Sequence, residues 1–165
     1  MAVAPEYPTE RIRNVAVLGH GGSGKSSLVD ALCWVSGTAR RHEDPGSGHS
    51  LTMHTPEEEA HGISIQLTPA YAEWMDTNIN LLDTPGFLDF TGETLAAVRV
   101  ADAAVICVGA NSGVEVGTEK VWKYCEERGI PRMIFVSMLD KDHADFEKVY
   151  RDIRTHLTEK VIPVE

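Results

Sequence analysis

The apolar run Asn14-Val15-Ala16-Val17-Leu18 leads directly into Gly19-His20-Gly21-Gly22-Ser23-Gly24-Lys25-Ser26, and a helical stretch from Ser27 to Val35 follows. No other feature of the chain restricts its fold so tightly. The spelling G-x-x-x-x-G-K-S between a buried strand and a helix is that of a phosphate-binding loop. The glycines let the backbone curl so that successive N–H groups point inward at a phosphate. The helix start near Lys25 adds the positive end of its dipole. Lys25 is then placed to reach the β- and γ-phosphates, and the Ser26 hydroxyl to hold Mg2+.

From Arg13 onward the chain alternates strand and helix. Further strands are predicted over Ile63–Leu67 joined to Tyr71–Trp74, over Ile79–Leu82, over Ala103–Val108 and over Met133–Val136. The last two are apolar throughout, as strands covered on both faces should be. Pro69 places its strand at an edge or beside a bulge, and Met75 to Asn78 reads as a turn. Helices are predicted over Gly92–Val100, Glu115–Arg128 and His143–Leu157, with Gly129 and Pro131 as a stop for the second. The expected fold class is α/β, a P-loop nucleoside triphosphatase with a mostly parallel sheet, helices on both faces and three α/β/α layers. Residues 1–10, with Pro5 and Pro8, read as a flexible tail, and 11–165 as one domain. The stretch from Gly37 to Gly62, with Pro45, Gly46, Gly48 and Pro56, is predicted irregular, and a connection that long in a compact domain is usually functional or disordered.

Composition narrows the function classes. Fifteen basic against 25 acidic residues give a net charge of −10, which argues against binding nucleic acid by charge alone and predicts no direct sequence-specific nucleic-acid contact by this domain. No apolar run approaches a membrane span and the amino terminus lacks a signal-peptide pattern. Cys33, Cys107 and Cys125 are odd in number and widely spaced, in helix, strand and helix, so buried thiols are expected rather than a disulfide framework. Together these features predict a cytoplasmic protein without a membrane.

A second motif, Asp83-Thr84-Pro85-Gly86, follows the third strand at once. A carboxylate there faces the same rim as the phosphate loop, where ligands bind in open α/β sheets. Asp83 is placed to hold the hydration shell of Mg2+, and the Gly86 N–H to sense a γ-phosphate, since glycine lets the backbone approach closely and pivot.

With both motifs in hand, the sequence resembles the GTP-binding domain of elongation factor G and its relatives among the translational GTPases. The likeness is carried by Gly19 to Ser27, Gly62-Ile63-Ser64-Ile65, Asp83-Thr84-Pro85-Gly86 with Asp89-Phe90, Gly113-Val114 to Trp122, and Gly129-Ile130-Pro131-Arg132 to Asp140. It implies GTP/GDP and Mg2+ as cofactors, hydrolysis of GTP to GDP, and the ribosome as partner through a full-length factor. It implies nucleotide contacts from Gly19, His20, Gly21, Gly22, Ser23, Gly24, Lys25, Ser26, Ser27, Asp83, Gly86, Ser137, Met138 and Asp140, and a metal site at Ser26, Ser64 and Asp83. The long irregular stretch becomes the first switch, with Ser64 where the family has a threonine hydroxyl near Mg2+. His61 stands where the family usually has arginine. His42, His49, His54 and His61 fit no zinc spacing and read as exposed loop residues.

Three departures bear on mechanism. Phe87 occupies the place of the histidine that orients the attacking water, and a phenyl ring can neither donate nor accept a hydrogen bond. Lys25, Gly86 and Mg2+ are left to support a slow hydrolysis through positioning and charge. Gly22 replaces an aspartate common in the family. Ser137-Met138-Leu139-Asp140 stands at the guanine site in place of Asn-Lys-x-Asp. Asp140 keeps the carboxylate that accepts from guanine, so guanine preference is expected at weakened affinity. The family's domain continues past the position of Glu165, and the ending Val161-Ile162-Pro163-Val164-Glu165 reads as a fragment lacking its C-terminal part.

Three functions are compatible with these residues. The first is a GTP-hydrolysing switch domain. The second is a nucleotide-gated binding module that barely hydrolyses, for which Phe87 argues. The third, an ATP-dependent phosphotransferase on the same loop, is opposed by Asp-Thr-Pro-Gly and Asp140.

Overall fold

The structure, a computed structural model, describes residues 6–42 and 49–164. Expectations that touch residues 1–5, Pro45, Gly46, Gly48 or Glu165 lie outside the described residues.

Five strands form one sheet: β1 (Ile12–Gly19), β2 (Thr68–Trp74), β3 (Thr77–Asp83), β4 (Ala103–Gly109) and β5 (Arg132–Ser137). Their order is β2-β3-β1-β4-β5. All neighbours are parallel except β2 and β3, which pair antiparallel. Five α-helices accompany them among the described residues: α1 (Lys25–Val35), α2 (Pro56–His61), α3 (Thr91–Val100), α4 (Val116–Arg128) and α5 (Phe146–His156).

Alternation along β1 shows why the sheet is covered twice. Val15 and Val17 face one side, where they pack with Val29 and Cys33 of α1. Ala16 and Leu18 face the other and join Ala97 and Val98 of α3, Val121 and Cys125 of α4, and Val149 and Ile153 of α5. The result is the expected three-layer α/β fold with a mostly parallel sheet. Leu18 and Ile106 are fully buried at its centre, each contributing about 1.5–3 kcal/mol of apolar burial. The register aligns Val17 with Asp83, Gly19 with Cys107 and Gly109 with Ser137, so these strand ends share one rim. Cys33, Cys107 and Cys125 are free, buried thiols, and burial pushes Cys107 up to about 12. Among the described residues no helix is long and apolar enough to cross a membrane.

Pro69 lies in β2, an edge strand, where a missing N–H costs no ladder bond. The turn into β3 is tighter than expected. Met75 and Asp76 adopt left-handed φ of 47° and 56°, a two-residue hairpin whose twist suits the strands.

The structure corrects three readings. Ile63–Leu67 is not strand, because its backbone donors go to side chains: Ile65 and Gln66 N–H to Glu58, and Leu67 N–H to Glu93. The stretch to Gly62 is not wholly irregular, since α2 forms there behind a capping box of Thr55 and Glu58 with Pro56 at its first turn. Helix α5 starts at Phe146 rather than His143, which has φ of 65°; the Asp145 carboxylate accepts from the Lys148 N–H at 2.9 Å and caps the helix there. A 3-10 turn over Thr9–Arg11 spans the boundary between the expected tail and the domain.

Candidate functional site

At the strand-end rim, β1 runs into the phosphate loop and α1 leaves it. Gly24, with φ of 83°, is the residue before α1, and a left-handed backbone of that kind favours glycine. One open pocket is lined by Gly21, Gly22, Gly24, Lys25, Ser26 and Ser27 of this loop. Met53, Gly62, Ile63 and Ser64, together with Gly86, Phe87 and Met138, complete it from three other segments. His20 turns away from it, accepting the Gly117 N–H at 3.3 Å through Nδ1, with Nε2 3.5 Å from Glu115. Gly19 ends β1 beneath the loop, and Ser23 is buried.

Lys25 is 6% exposed and donates to the His20 carbonyl at 2.8 Å. Burial lowers its pKa, while Asp83 and Cys107 oppose the shift. It is a cation held in a dry place with few partners, suited to an anionic ligand.

Asp83, 1% exposed, is where three segments meet. Its Oδ2 accepts from Ser26 Oγ at 2.7 Å and from Thr52 Oγ1 at 2.6 Å. Ser26 Oγ is also 3.1 Å from Ser64 Oγ. Burial raises the Asp83 carboxyl, with Thr52, Ser26 and Lys25 pulling the other way and Glu58 adding to the rise. Its second oxygen, Oδ1, is buried without a hydrogen-bond partner. A lone-pair site of that kind beside two hydroxyls is a hard-oxygen environment and fits Mg2+ with its water shell.

Gly86 lies against the phosphate loop. A Cβ there would overlap Lys25 Nζ and stand 2.6 Å from Gly21 N and 2.7 Å from Gly21 Cα. Phe87 follows, 43% exposed. Its ring packs over Gly21, where a Cβ would come within 3.2 Å of it.

At the far end, Ser137 Oγ donates to the Ser23 carbonyl at 2.8 Å and lies 3.3 Å from the Val108 carbonyl, joining the end of β5 to the phosphate loop. Met138 lines the pocket with a left-handed φ of 59°. Asp140 does not line it. Its carboxylate is exposed and pairs with Lys141 at 3.5 Å.

A family profile described as "Elongation factor Tu GTP binding domain" matches residues 10–164. The chain belongs to this family. It is 36% identical over 155 residues to "Ribosome-releasing factor 2, mitochondrial" of Debaryomyces hansenii, covering 94% of this chain and 18% of that protein. It is 35% identical over 153 residues to "Elongation factor G 2" of Borreliella burgdorferi, covering 93% of this chain and 23% of that protein. A solved structure of a Thermus thermophilus protein superposes with a TM-score of 0.83 at 39% identity, over 88% of this chain and 22% of the other. The chain thus has the GTP-binding domain of an elongation factor G-like GTPase, and it spans about a fifth of the length of these relatives.

Two residues of this G domain escaped the sequence reading. Thr52 carries no local signal, because only the fold brings it to Asp83. Glu58 could have been found, since Thr55-Pro56-Glu57-Glu58 spells a capping box. Its carboxyl is buried, which raises its pKa, but the N–H groups of Ile65, His54, Gln66 and Thr55 outweigh burial and hold it below the ordinary carboxylate value. His42 packs edge-on against Trp34 at 5.4 Å, and among the described residues no group of three His, Cys, Asp or Glu is placed to hold an ion.

Proposed function

We propose that this G domain binds GTP with Mg2+ and acts as a slowly hydrolysing switch within a larger elongation factor G-like protein that works on the ribosome. The observation that carries the reading is the convergence of two distant segments on one phosphate loop: Gly86 lies against Lys25 and Gly21, and Ser64 lies against Ser26. A γ-phosphate present or absent between them is a difference that both segments can sense.

Each residue has a role in that scheme. Gly21, Gly22 and Gly24 offer backbone N–H groups to the phosphates, and Lys25 neutralises the β- and γ-oxygens. Ser26, Ser64 and Asp83 would hold the metal and its waters. When bound, Mg2+ neutralises charge developing on the phosphate oxygens. The Gly86 N–H stabilises the transferring group. Phe87 shields the loop at Gly21 and contributes no proton acceptor. Ser137 ties the base-binding loop to the phosphate loop, and Met138 offers an apolar face to the base. Asp140 would read guanine after exchanging its Lys141 pairing for the base, and the weakened affinity expected from Ser137 and Met138 follows.

Titration with fluorescent GDP in Mg2+ tests the guanine reading. Displacement by GTP but not by ADP or ATP is the expected result; equal displacement by ATP would overturn the guanine preference, and tighter binding of ATP than of GTP would favour an adenine-nucleotide enzyme.

Phe87 favours a second reading, a nucleotide-gated binding module with little hydrolysis. Single-turnover hydrolysis by the wild type with and without ribosomes separates the two, and the Phe87→His substitution tests whether the missing histidine causes the slowness. A histidine there regains a group that orients water, worth about 10²–10⁴-fold in rate where it is properly placed. Single-turnover hydrolysis with ribosomes should therefore rise severalfold or more; an unchanged rate would remove Phe87 as the cause of slowness.

A further inference from the structure

Glu58 is 1% exposed, although it sits in the connection between α1 and β2. Its two oxygens do different things. Oε2 accepts from the His54 and Thr55 N–H groups at 3.1 Å each and from the Thr55 hydroxyl at 3.2 Å, which caps α2. Oε1 reaches past the end of the helix and accepts from Ile65 N–H at 2.8 Å and Gln66 N–H at 3.2 Å. A capping box needs only the first set.

The second set brackets Ser64. On one side, Gly62 ends α2 with φ of 62° and the Ile63 N–H donates to the Glu58 carbonyl at 3.3 Å. On the other, the Ile65 N–H is held by the Glu58 side chain. Further along, the Leu67 N–H donates to Glu93 at 2.8 Å. Among the described residues no sheet neighbour holds 63–67, so the carboxylate replaces the ladder that a strand would have. At the end of this bracket the Ser64 hydroxyl lies 3.1 Å from Ser26 Oγ.

From this we infer that Glu58 is a positioning residue: through the Ile65 and Gln66 amides it holds the Ser64 hydroxyl at the metal edge of the pocket. The inference rests on the proposed role of Ser64 in the Mg2+ site. Glu58 itself does not line the pocket.

A cap and a strut respond differently to Glu58→Gln. Capping boxes accept glutamine as readily as glutamate. A strut does not, because the carboxamide nitrogen would face the N–H donors of His54 and Thr55 or of Ile65 and Gln66 with another donor. Thr55→Ala is the complementary control, weakening the cap and leaving Oε1 in place.

Two measurements decide it. The first is amide hydrogen exchange in the nucleotide-free chain. Glu58→Gln should speed exchange at Ile65 and Gln66 by about tenfold, the loss of one hydrogen bond, and Thr55→Ala should not. The second is the Mg2+ concentration for half-maximal GTP binding, in a cycle of Ser64→Ala, Glu58→Gln and the double variant. Each single change should raise it by about tenfold, as loss of a group supporting a metal ligand does, and the double should be no worse than Ser64→Ala. Wild-type exchange at Ile65 and Gln66 both in Glu58→Gln and in Glu58→Ala, which removes both oxygens, or multiplicative effects in the double variant, would overturn the positioning role while Ser64 kept its own. A wild-type Mg2+ dependence in Ser64→Ala would overturn the reading of Ser64 and the inference with it.

Discussion

Lys25→Met is expected to lower affinity for GTP by about 10²–10⁴-fold, the loss of two charge-assisted contacts at roughly 1.5–3 kcal/mol each. The same change should leave thermal stability nearly untouched. Lys25 is buried, its pKa is lowered by desolvation, and its protein hydrogen bond goes to the His20 carbonyl. Methionine fills a similar volume without the cost of taking an ammonium out of water. Leaving the carbonyl without its donor costs about 1 kcal/mol, of the same order as what is relieved. Displacement of fluorescent GDP measures the first effect and calorimetry the second. A fall in melting temperature as severe as the fall in affinity would mean that the lysine supports the fold rather than the ligand. The pH dependence has a definite sign. Because the folded pKa lies below the ordinary 10.5, the burial cost is fully present at neutral pH. It is relieved as pH rises through the folded value toward 10.5, where the unfolded chain still holds the proton. Wild type should therefore gain stability relative to Lys25→Met in that alkaline window.

Gly86→Ala is expected to slow GTP hydrolysis by about 10²–10³-fold, the usual effect of losing one backbone donor aimed at developing charge. The cause is steric. Gly86 has no left-handed φ to protect, but a Cβ would overlap Lys25 Nζ and press on Gly21 N and Cα. Backbone atoms of the phosphate loop cannot yield as a flexible side chain would, so the Asp-Thr-Pro-Gly turn must lift away. GDP affinity should change little, since a diphosphate needs the loop and Lys25 but not the Gly86 N–H. The ratio of GTP to GDP affinity, with single-turnover rates, checks both parts. A wild-type rate in the variant would show that the turn closes elsewhere.

Much of this architecture could be read in advance because its signals are local. The run from Val15 to Leu18, the glycines of the loop, and the apolar strands at Ala103 and Met133 each carry their own period and punctuation. Boundaries moved where a cap outside the periodic stretch took over, as Asp145 does for α5. The connection from residue 49 to 67 was the least legible part. Ile63-Ser64-Ile65 alternates like a strand, yet the Ile63 N–H goes to the Glu58 carbonyl, the Ile65 N–H to the Glu58 side chain, and the Leu51 N–H to Asp30. A side chain that replaces a ladder leaves no period behind.

The guanine end divides in the same way. Ser137 and Met138 stand beside the phosphate loop and the pocket, whereas Asp140 faces solvent with Lys141. Its position in the sequence says nothing about that orientation.

By itself the sequence determined the class of fold, the phosphate loop and the two motifs that face it, since strand and helix periods and glycine spacing are properties of neighbouring residues. Tertiary structure alone decided that Thr52 and Ser26 share one oxygen of Asp83, that Gly86 lies on Lys25, and that Glu58 braces Ser64. The first two join residues far apart in the chain that only the closed sheet brings together, and the third depends on how the chain folds back after α2.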